Sequence, residues 1–258
     1  MATHRPRGRP SSASSNPFER LRTAGYDVVP LHHAEAILTL DMPGAMQELA
    51  DILTGFSIPI EDLVRGGGGE ADSTQWLRRA LSDAGWPKHT FTVEKKVDGV
   101  PTQVESHIVD HVKRFGQYTF ALEIEWNNKD PFFDRDLENF KRLHSEGAIS
   151  MGGIITRGES LQGSLRNLIE QFALARGITT VSQLEQYYYP TPRQRKRFEE
   201  RAAAVGSFAR GWAEAFVADK FGEATTHWRK LDERMRRGVG NPCPLVLIGI
   251  PAAVVKPA

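Results

Sequence analysis

The spacing of apolar residues changes along the chain, and each change predicts a different kind of element. Over residues 42–53, and again over 71–86, apolar residues recur at helical spacing, so both segments predict amphipathic helices. Over residues 91–126 the period shortens to two, with turn signals at Asp98-Gly99 and Gly116-Gln117. This pattern predicts a three-stranded antiparallel meander.

The second half of the chain predicts helices around further strands. Asp130 and Pro131 suit the N-cap and first position of a helix, and the apolar segment 148–156 that follows it predicts a short strand. A helix that returns the chain to a neighbouring strand indicates a mixed sheet. Residues 158–240 are predicted mainly helical, with an interruption at 187–197, and residues 243–250 predict a buried strand. The fold class is therefore α/β, a central mixed sheet with an antiparallel meander flanked by helices.

Composition agrees with one large globular domain. The 258 residues are 40% apolar and 25% charged, and their net charge of +1 identifies no partner. Residues 1–16, rich in Ser, Pro and Arg, predict a disordered basic arm, and residues 17–258 a single domain with a helical insertion at about 165–225. Cys243 is the sole cysteine, which suits a reducing cytoplasm, and no apolar run has the length of a membrane span.

The last hairpin of the predicted meander carries the candidate chemistry. Glu123 and Glu125 are two residues apart in a strand of period two, so they share one face. If Gly116-Gln117 is a two-residue turn, with glycine supplying type II′ geometry, the register places Asp110 opposite Glu123. Opposed side chains on one face lie about 5 Å apart, and like charges there destabilise the pair.

This clustered negative charge has two interpretations. A hard divalent cation such as Mg²⁺, which takes oxygen ligands, would neutralise the three carboxylates. Alternatively one carboxylate faces solvent, or Lys113 or Arg114 pairs with it. A register slip of one residue would move Asp110 to the opposite face from Glu123.

Four separated segments carry a resemblance to a known family. The sequences VDHVK, ALEIEWNNKDPFFDRDLENF, GGIITRG and PLVLIGI occur in that order. Together they resemble the BglII/BstYI restriction endonucleases of the PD-(D/E)xK superfamily, over residues of about 60 to 160 and 225 to 250. The resemblance implies a restriction-endonuclease-like fold and a homodimer that cuts palindromic double-stranded DNA with Mg²⁺, leaving 5′-phosphate and 3′-hydroxyl ends.

The resemblance also implies roles for the carboxylates. The family's Asp and Glu-x-Gln pattern falls on Asp110, Glu123 and Glu125. Asp110 and Glu123 would hold Mg²⁺ together with the main-chain carbonyl of Ile124. The position of Glu125 on the same face as Glu123 makes it the candidate to orient or deprotonate the attacking water. The sequence departs from the pattern in two respects. Glutamate replaces glutamine at the third position, as in the related BamHI arrangement, and the spacing from Asp110 to Glu123 is longer.

Other polar residues are weaker candidates. Glu70 is a candidate to orient a water near the metal, or is simply an acidic residue near a helix N-terminus, and Lys129 is a candidate phosphate contact or a surface cation. Strand and loop positions near the meander and the later core strands supply the candidate DNA contacts. Those for phosphates are Lys88, Lys95, Lys96 and Arg157, which are otherwise ordinary solvated surface residues. Those for bases, on predicted polar loops, are Ser160, Gln162, Arg236, Arg237 and Asn241.

Two other functions are compatible with these residues. A repair or recombination nuclease of the same fold would recognise DNA structure rather than sequence. A non-catalytic DNA-binding protein would keep the acidic trio as a structural patch and bind without magnesium. Restriction is the interpretation that the ordered segments and the carboxylate spacing favour.

Overall fold

The computed structural model describes residues 16–66 and 69–257. The predicted N-terminal arm lies outside these residues except for Asn16, which is ordered. The Asn16 side-chain oxygen accepts a hydrogen bond from the Phe18 amide at 2.9 Å and so caps the first helix.

Helices and strands alternate through most of the described residues. The α-helices are α1 (Pro17–Thr23), α2 (Ala34–Ala36, continued by a π-helical turn, Ile37–Asp41), α3 (Pro43–Thr54), α4 (Ile60–Val64), α5 (Asp72–Asp83), α6 (Phe132–Ser145), α7 (Glu159–Ala175), α8 (Pro192–Val205), α9 (Phe208–Lys220) and α10 (Trp228–Arg236). Short 3₁₀-helices cover Val181–Gln186 and Ala252–Val254. The strands are β1 (Asp27–Leu31), β2 (Ile58–Pro59), β3 (His89–Val97), β4 (Val100–Val109), β5 (His111–Phe115), β6 (Tyr118–Glu125), β7 (Met151–Arg157), β8 (Leu245–Ile250) and β9 (Val255–Lys256).

The central sheet is mixed, as the sequence predicts. Its five strands lie in the order β1-β8-β7-β6-β5. Strands β6, β7 and β8 are parallel, whereas β1 and β5 are antiparallel edge strands. The parallel strands β7 and β8 are buried along their whole length, and both are apolar except for Thr156 and Arg157 at the end of β7. Strand β1 is absent from the sequence prediction because Pro30 interrupts it, and an edge strand tolerates proline.

Helix α6 connects β6 to β7 and covers one face of the sheet. Phe133, Leu137 and Phe140 are buried there, which confirms the predicted apolar stripe. The helix begins at Phe132, one residue later than predicted. On the opposite face a larger core surrounds Trp86 and includes α3, α5 and α7.

The antiparallel strands predicted for the meander are present, but the middle strand is divided at Asp110. Strands β3 and β4 form a separate two-stranded hairpin, and only β5 and β6 join the central sheet. At the hairpin turn Asp98 and Gly99 both have positive φ, 52° and 83°, as a type I′ turn requires.

Helices fill the region between β7 and β8. The segment predicted as an interruption is shorter than expected, since α8 already begins at Pro192. Thr191 caps α8 by accepting a hydrogen bond from the Gln194 amide. In the described parts of the chain, no helix is both long and apolar enough to cross a bilayer.

Candidate active site

The β5–β6 hairpin has the register that the sequence predicts. Phe115 pairs with Tyr118, and the ladder runs back to His111 opposite Leu122. Gly116 has a φ of +62°, which a type II′ turn needs at its first central position. Asp110 therefore comes next, opposite Glu123, and its amide approaches the Glu123 Oε2 atom at 3.4 Å.

Strand β6 holds both glutamates on the face that α6 covers. They are more deeply buried than a half-exposed strand predicts: Glu123 is 4% exposed and Glu125 is 3% exposed. Pairing with the parallel strand β7 fixes the position of the two glutamates along the sheet, because Glu123 pairs with Ile154 and Glu125 with Thr156. The Thr156 hydroxyl also donates to the Glu125 carbonyl at 2.7 Å.

Helix α6 adds a fourth carboxylate that the sequence analysis missed. Asp136 is 1% exposed, and its charge acts on both Glu123 and Glu125. A signal for it exists in the sequence, since Asp136 lies three residues after Phe133 and one before Leu137. That position belongs to the buried stripe of an amphipathic helix.

Burial and mutual repulsion raise the pKa values of this group. Burial, followed by the charges of Asp136 and Asp110, raises the pKa of Glu123 to about 10. Burial, followed by a hydrogen bond with Asp136, raises the pKa of Glu125 to about 8. Burial likewise raises the pKa of Asp136. Glu123 and Glu125 therefore hold protons at a pH where exposed carboxyls are ionised.

Local donors compensate one end of the cluster. Arg135 contacts Asp136 at 2.8 Å and Glu125 at 3.5 Å. The Asn128 side-chain amide donates to Glu125 Oε2 at 2.6 Å. Among the described residues, no Lys, Arg or His forms an ion pair with Glu123, so the centre of the cluster keeps uncompensated acidic groups.

Asp110 is compensated from α5. The Arg78 Nη1 atom lies 2.7 Å from Asp110 Oδ2, and Arg78 Nε donates to Glu70. Lys88 is more distant, 3.9 Å from Asp110 Oδ1. The structure thus brings Glu70, a sequence candidate, to the site through Arg78, which the sequence analysis did not identify.

The alternative pairing partners lie elsewhere. Lys113 binds Glu48 at 2.6 Å and the Ala84 carbonyl at 2.8 Å. Arg114 is exposed and forms no ion pair with any described carboxylate. The proposal that either cation neutralises the carboxylate cluster is therefore wrong.

A cavity of about 1170 Å³ opens beside the end of β6. Glu70, Arg78, Trp126 and Asn128 line part of its wall. Two of these residues, Arg78 and Asn128, also contact carboxylates of the cluster. A polar ligand bound in the cavity would therefore contact Arg78 and Asn128, the residues that bind the carboxylates.

The oxygen ligands that the site offers fit a divalent cation whose coordination shell is completed by the substrate. Nowhere in residues 16–66 and 69–257 do three His, Cys, Asp or Glu side chains converge into a ready-made metal cage. Mg²⁺ commonly takes one or two carboxylates and fills its shell with phosphate and water. The Asp110 and Glu123 side chains, which act on each other, provide such a pair. Among the described residues, the nearby buried Asp136 Oδ2 atom has no hydrogen-bond donor. A cation would relieve the charge that raises these pKa values.

Two further candidates lie beside this group. Ile124 stands between the two glutamates with its side chain buried in the core, and the metal-binding role of its carbonyl stays a prediction. Lys129 is exposed in the turn after β6, where its main chain bridges to Thr225. Its contact with a phosphate is likewise still a prediction.

The structure corrects one candidate phosphate contact. Arg157 is 0% exposed at the end of β7. Its guanidinium donates to the Thr225 hydroxyl and the Thr226 carbonyl, both at 2.7 Å, and lies over the Phe221 ring. Because this later segment covers the strand end, Arg157 supports the fold and is closed to DNA.

The remaining candidates divide between surface and helix positions. Lys95 and Lys96 are exposed on the β3–β4 hairpin, paired with Glu146 and Glu94. Ser160 and Gln162 belong to the first turn of α7 rather than to a loop, because α7 begins two residues after β7 ends. Ser160 accepts from the Ala252 amide and Gln162 donates to the Phe221 carbonyl.

The second predicted base-contact segment follows α10. Arg236 ends that helix paired with Asp232, Arg237 follows it, and Asn241 is exposed in the loop before β8. Arg234, which the sequence analysis missed, anchors the helix by contacting Asp130 at 3.2 Å and Asp134 at 2.8 Å.

Comparison with known proteins gives one family. The model of a family described as restriction endonuclease BglII/BglIII matches residues 26–250. That range contains all five strands of the central sheet and the four carboxylates. No curated protein matches the chain with significant similarity.

Proposed function

The chain belongs to the BglII/BglIII restriction endonuclease family, and on that premise we propose that it is a Type II enzyme that cleaves double-stranded DNA at a specific palindromic site with Mg²⁺. The observation that carries this proposal is the juxtaposition of Asp110 and Glu123 beside the buried Glu125, within the matched range.

Asp110 and Glu123 are the proposed Mg²⁺ ligands, together with the main-chain carbonyl of Ile124. Bound there, Mg²⁺ supplies polarisation of the scissile phosphoryl group and a lower pKa for the attacking water. The protein's own contribution is to keep the Asp110 and Glu123 carboxylates adjacent, because β6 pairs in a fixed register with β5 and β7. Because Glu123 has a pKa of about 10, metal binding by Glu123 would displace its proton, and metal affinity would rise with pH.

Glu125 is the proposed general base. Its pKa of about 8 is close to neutral pH, and a general base is most effective when its pKa lies near the pH of the reaction. The Asn128 amide fixes one of its oxygens at 2.6 Å, which leaves the other near Arg135 and Asp136. Glutamine, which the family's Glu-x-Gln pattern has at this position, cannot accept that proton, whereas Glu125 can.

Other parts of the proposal concern DNA contacts and assembly. Lys88, Lys95 and Lys96 are proposed phosphate contacts, and Lys129 is a further one. Arg236, Arg237 and Asn241 are proposed base contacts because they lie at the end of α10 and in the segment that follows it. Ser160 and Gln162 are proposed with them from α7. A palindromic site implies a two-fold symmetric homodimer. The proposed place of action is the cytoplasm. Sedimentation of the purified protein, free and with a DNA duplex, tests the dimer.

The test of the function is digestion of mixed plasmid and phage DNA with Mg²⁺. We expect discrete bands that vanish with EDTA and in Glu123→Gln and Asp110→Asn. A matched variant, Glu199→Gln, removes an exposed carboxyl on α8 and should cut like wild type. Ligation of the fragments without prior phosphorylation would establish 5′-phosphate and 3′-hydroxyl ends.

The same assay distinguishes the alternatives. Cleavage of junction or flap substrates without discrete plasmid bands would replace restriction by a structure-specific nuclease. Magnesium-independent DNA binding by folded protein, with no cleavage of methylated or unmethylated DNA, would make the chain a non-catalytic binder.

A further inference from the structure

Arg78 stands between the proposed metal site and the cavity. It projects from the middle of α5, and its side chain is 32% exposed. One edge of its guanidinium donates to Glu70, and its Nη1 atom lies 2.7 Å from Asp110 Oδ2. The same side chain lines the cavity of about 1170 Å³. Arg78 therefore touches a proposed metal ligand from the side open to a bound molecule.

The ion pair and a bound metal make competing demands on Asp110. A carboxylate oxygen that accepts a charge-assisted hydrogen bond is a poorer ligand for a cation, and two positive charges on one carboxylate repel each other. In the free protein Arg78 thus already supplies the positive charge at Asp110. Glu123, which has no ion-pair partner among the described residues, lacks such a cation.

Arg78 also supplies a positive charge near the site that strand β6 does not carry. Glu125 occupies the position two residues after Glu123, where many nucleases of this architecture carry lysine. A guanidinium fork binds phosphate as readily as carboxylate, with two parallel hydrogen bonds. The Arg78 side chain is bordered by open space, and its Glu70 contact would keep the guanidinium near the site when Asp110 is released.

We propose, on the basis of the proposed nuclease function, that Arg78 exchanges partners during the reaction cycle. In the free protein it binds Asp110 and weakens divalent-cation binding. When DNA enters, its guanidinium turns to a phosphate of the bound strand and frees Asp110 for the metal. Metal and DNA binding are thereby coupled, and by linkage each strengthens the other.

The first experiment is a calcium titration of the free protein by calorimetry, without DNA. We expect Arg78→Gln to bind Ca²⁺ more tightly than wild type, by about fivefold, the lower range of ordinary coupling. Arg78→Lys, which keeps one charge but loses the fork, should fall between the two. Arg79→Gln is the matched control, because it removes the exposed neighbouring arginine of the same helix, and it should leave the affinity at the wild-type value.

The second experiment repeats the titration with a DNA duplex bound. Wild type should gain calcium affinity on binding DNA, and Arg78→Gln should lose most of this gain. With Mg²⁺, Arg78→Gln should also cleave more slowly at saturating DNA. Equal or weaker calcium binding by folded Arg78→Gln or Arg78→Lys without DNA would overturn the exchange, because a merely structural arginine positions Asp110 and its loss weakens the site.

The two proposals fail separately. If wild type cuts no DNA, the proposed function fails, while the DNA-free titration still measures competition between Arg78 and the cation. If wild type cuts DNA and Arg78→Gln binds calcium no more tightly, only the partner exchange fails.

Discussion

The buried carboxyl of Glu123 makes the stability of the metal-free protein depend on pH. Its pKa in the folded protein is about 10, well above the value of about 4.3 expected in the unfolded chain. Between these two pH values the folded protein keeps a proton that the unfolded chain has released. Stability from this group is therefore complete below the lower pKa and is lost as the pH rises toward the upper one.

The slope follows from the proton count alone. One proton difference changes the free energy of unfolding by about 1.4 kcal/mol per pH unit. Between pH 6 and pH 8 the Glu123 proton is held in the folded state throughout, so this group removes about 3 kcal/mol of stability over that interval. Gln carries no ionisable proton, so Glu123→Gln should flatten the profile by this amount.

Urea unfolding in EDTA at pH 6, 7 and 8 measures the effect. Glu199→Gln serves as the control, since its exposed carboxyl should leave the wild-type slope unchanged. Adding Mg²⁺ should flatten the wild-type slope, because the cation favours the ionised carboxylate, and should leave Glu123→Gln unaffected. Parallel slopes for wild type and Glu123→Gln in EDTA would refute the reasoning.

Two further predictions concern the scaffold of the site. Trp86 is fully buried and stacks edge-to-face on Phe120 at a centroid distance of 5.1 Å, so Trp86→Ala should cost about 3–5 kcal/mol in urea unfolding; a loss below about 1 kcal/mol would contradict this packing role. Arg234→Ala leaves Asp130 and Asp134 without their shared cation and should cost about 2 kcal/mol, less than a fully buried pair because both aspartates are partly exposed. An unfolding midpoint Tm of Arg234→Ala equal to that of wild type would show that this ion pair is dispensable for stability.

The sequence predicted the hairpin that carries Asp110 and Glu123 because local signals are sufficient there. Alternation over β6 defines the face, and a glycine at positive φ defines the turn, so two short-range rules fix the register. The break at Asp110 escaped the same reasoning. Residues on both sides of it are strand, and the period of two does not reveal that the chain passes from one sheet to another.

The missed and corrected residues depend on contacts between distant segments. Arg157 resembles a free basic residue at a strand end, and its hydroxyl acceptor lies 68 residues further along the chain. Arg78 likewise reaches Asp110 from another element. Asp136 differs, because the stripe of α6 includes its position, and an acidic residue there already indicates a buried charge.

The two-residue turn at Gly116-Gln117 also determines which length changes the hairpin can tolerate during evolution. One residue added to each strand at the turn keeps Asp110 opposite Glu123, whereas a single unpaired insertion would rotate the aspartate to the other face. Hydrogen-bonded and non-hydrogen-bonded pairs alternate along an antiparallel ladder, so two residues added to each strand also preserve the turn type. Insertions and deletions in this hairpin should therefore accumulate in even steps, with the spacing of the two acids drifting while their pairing is inherited.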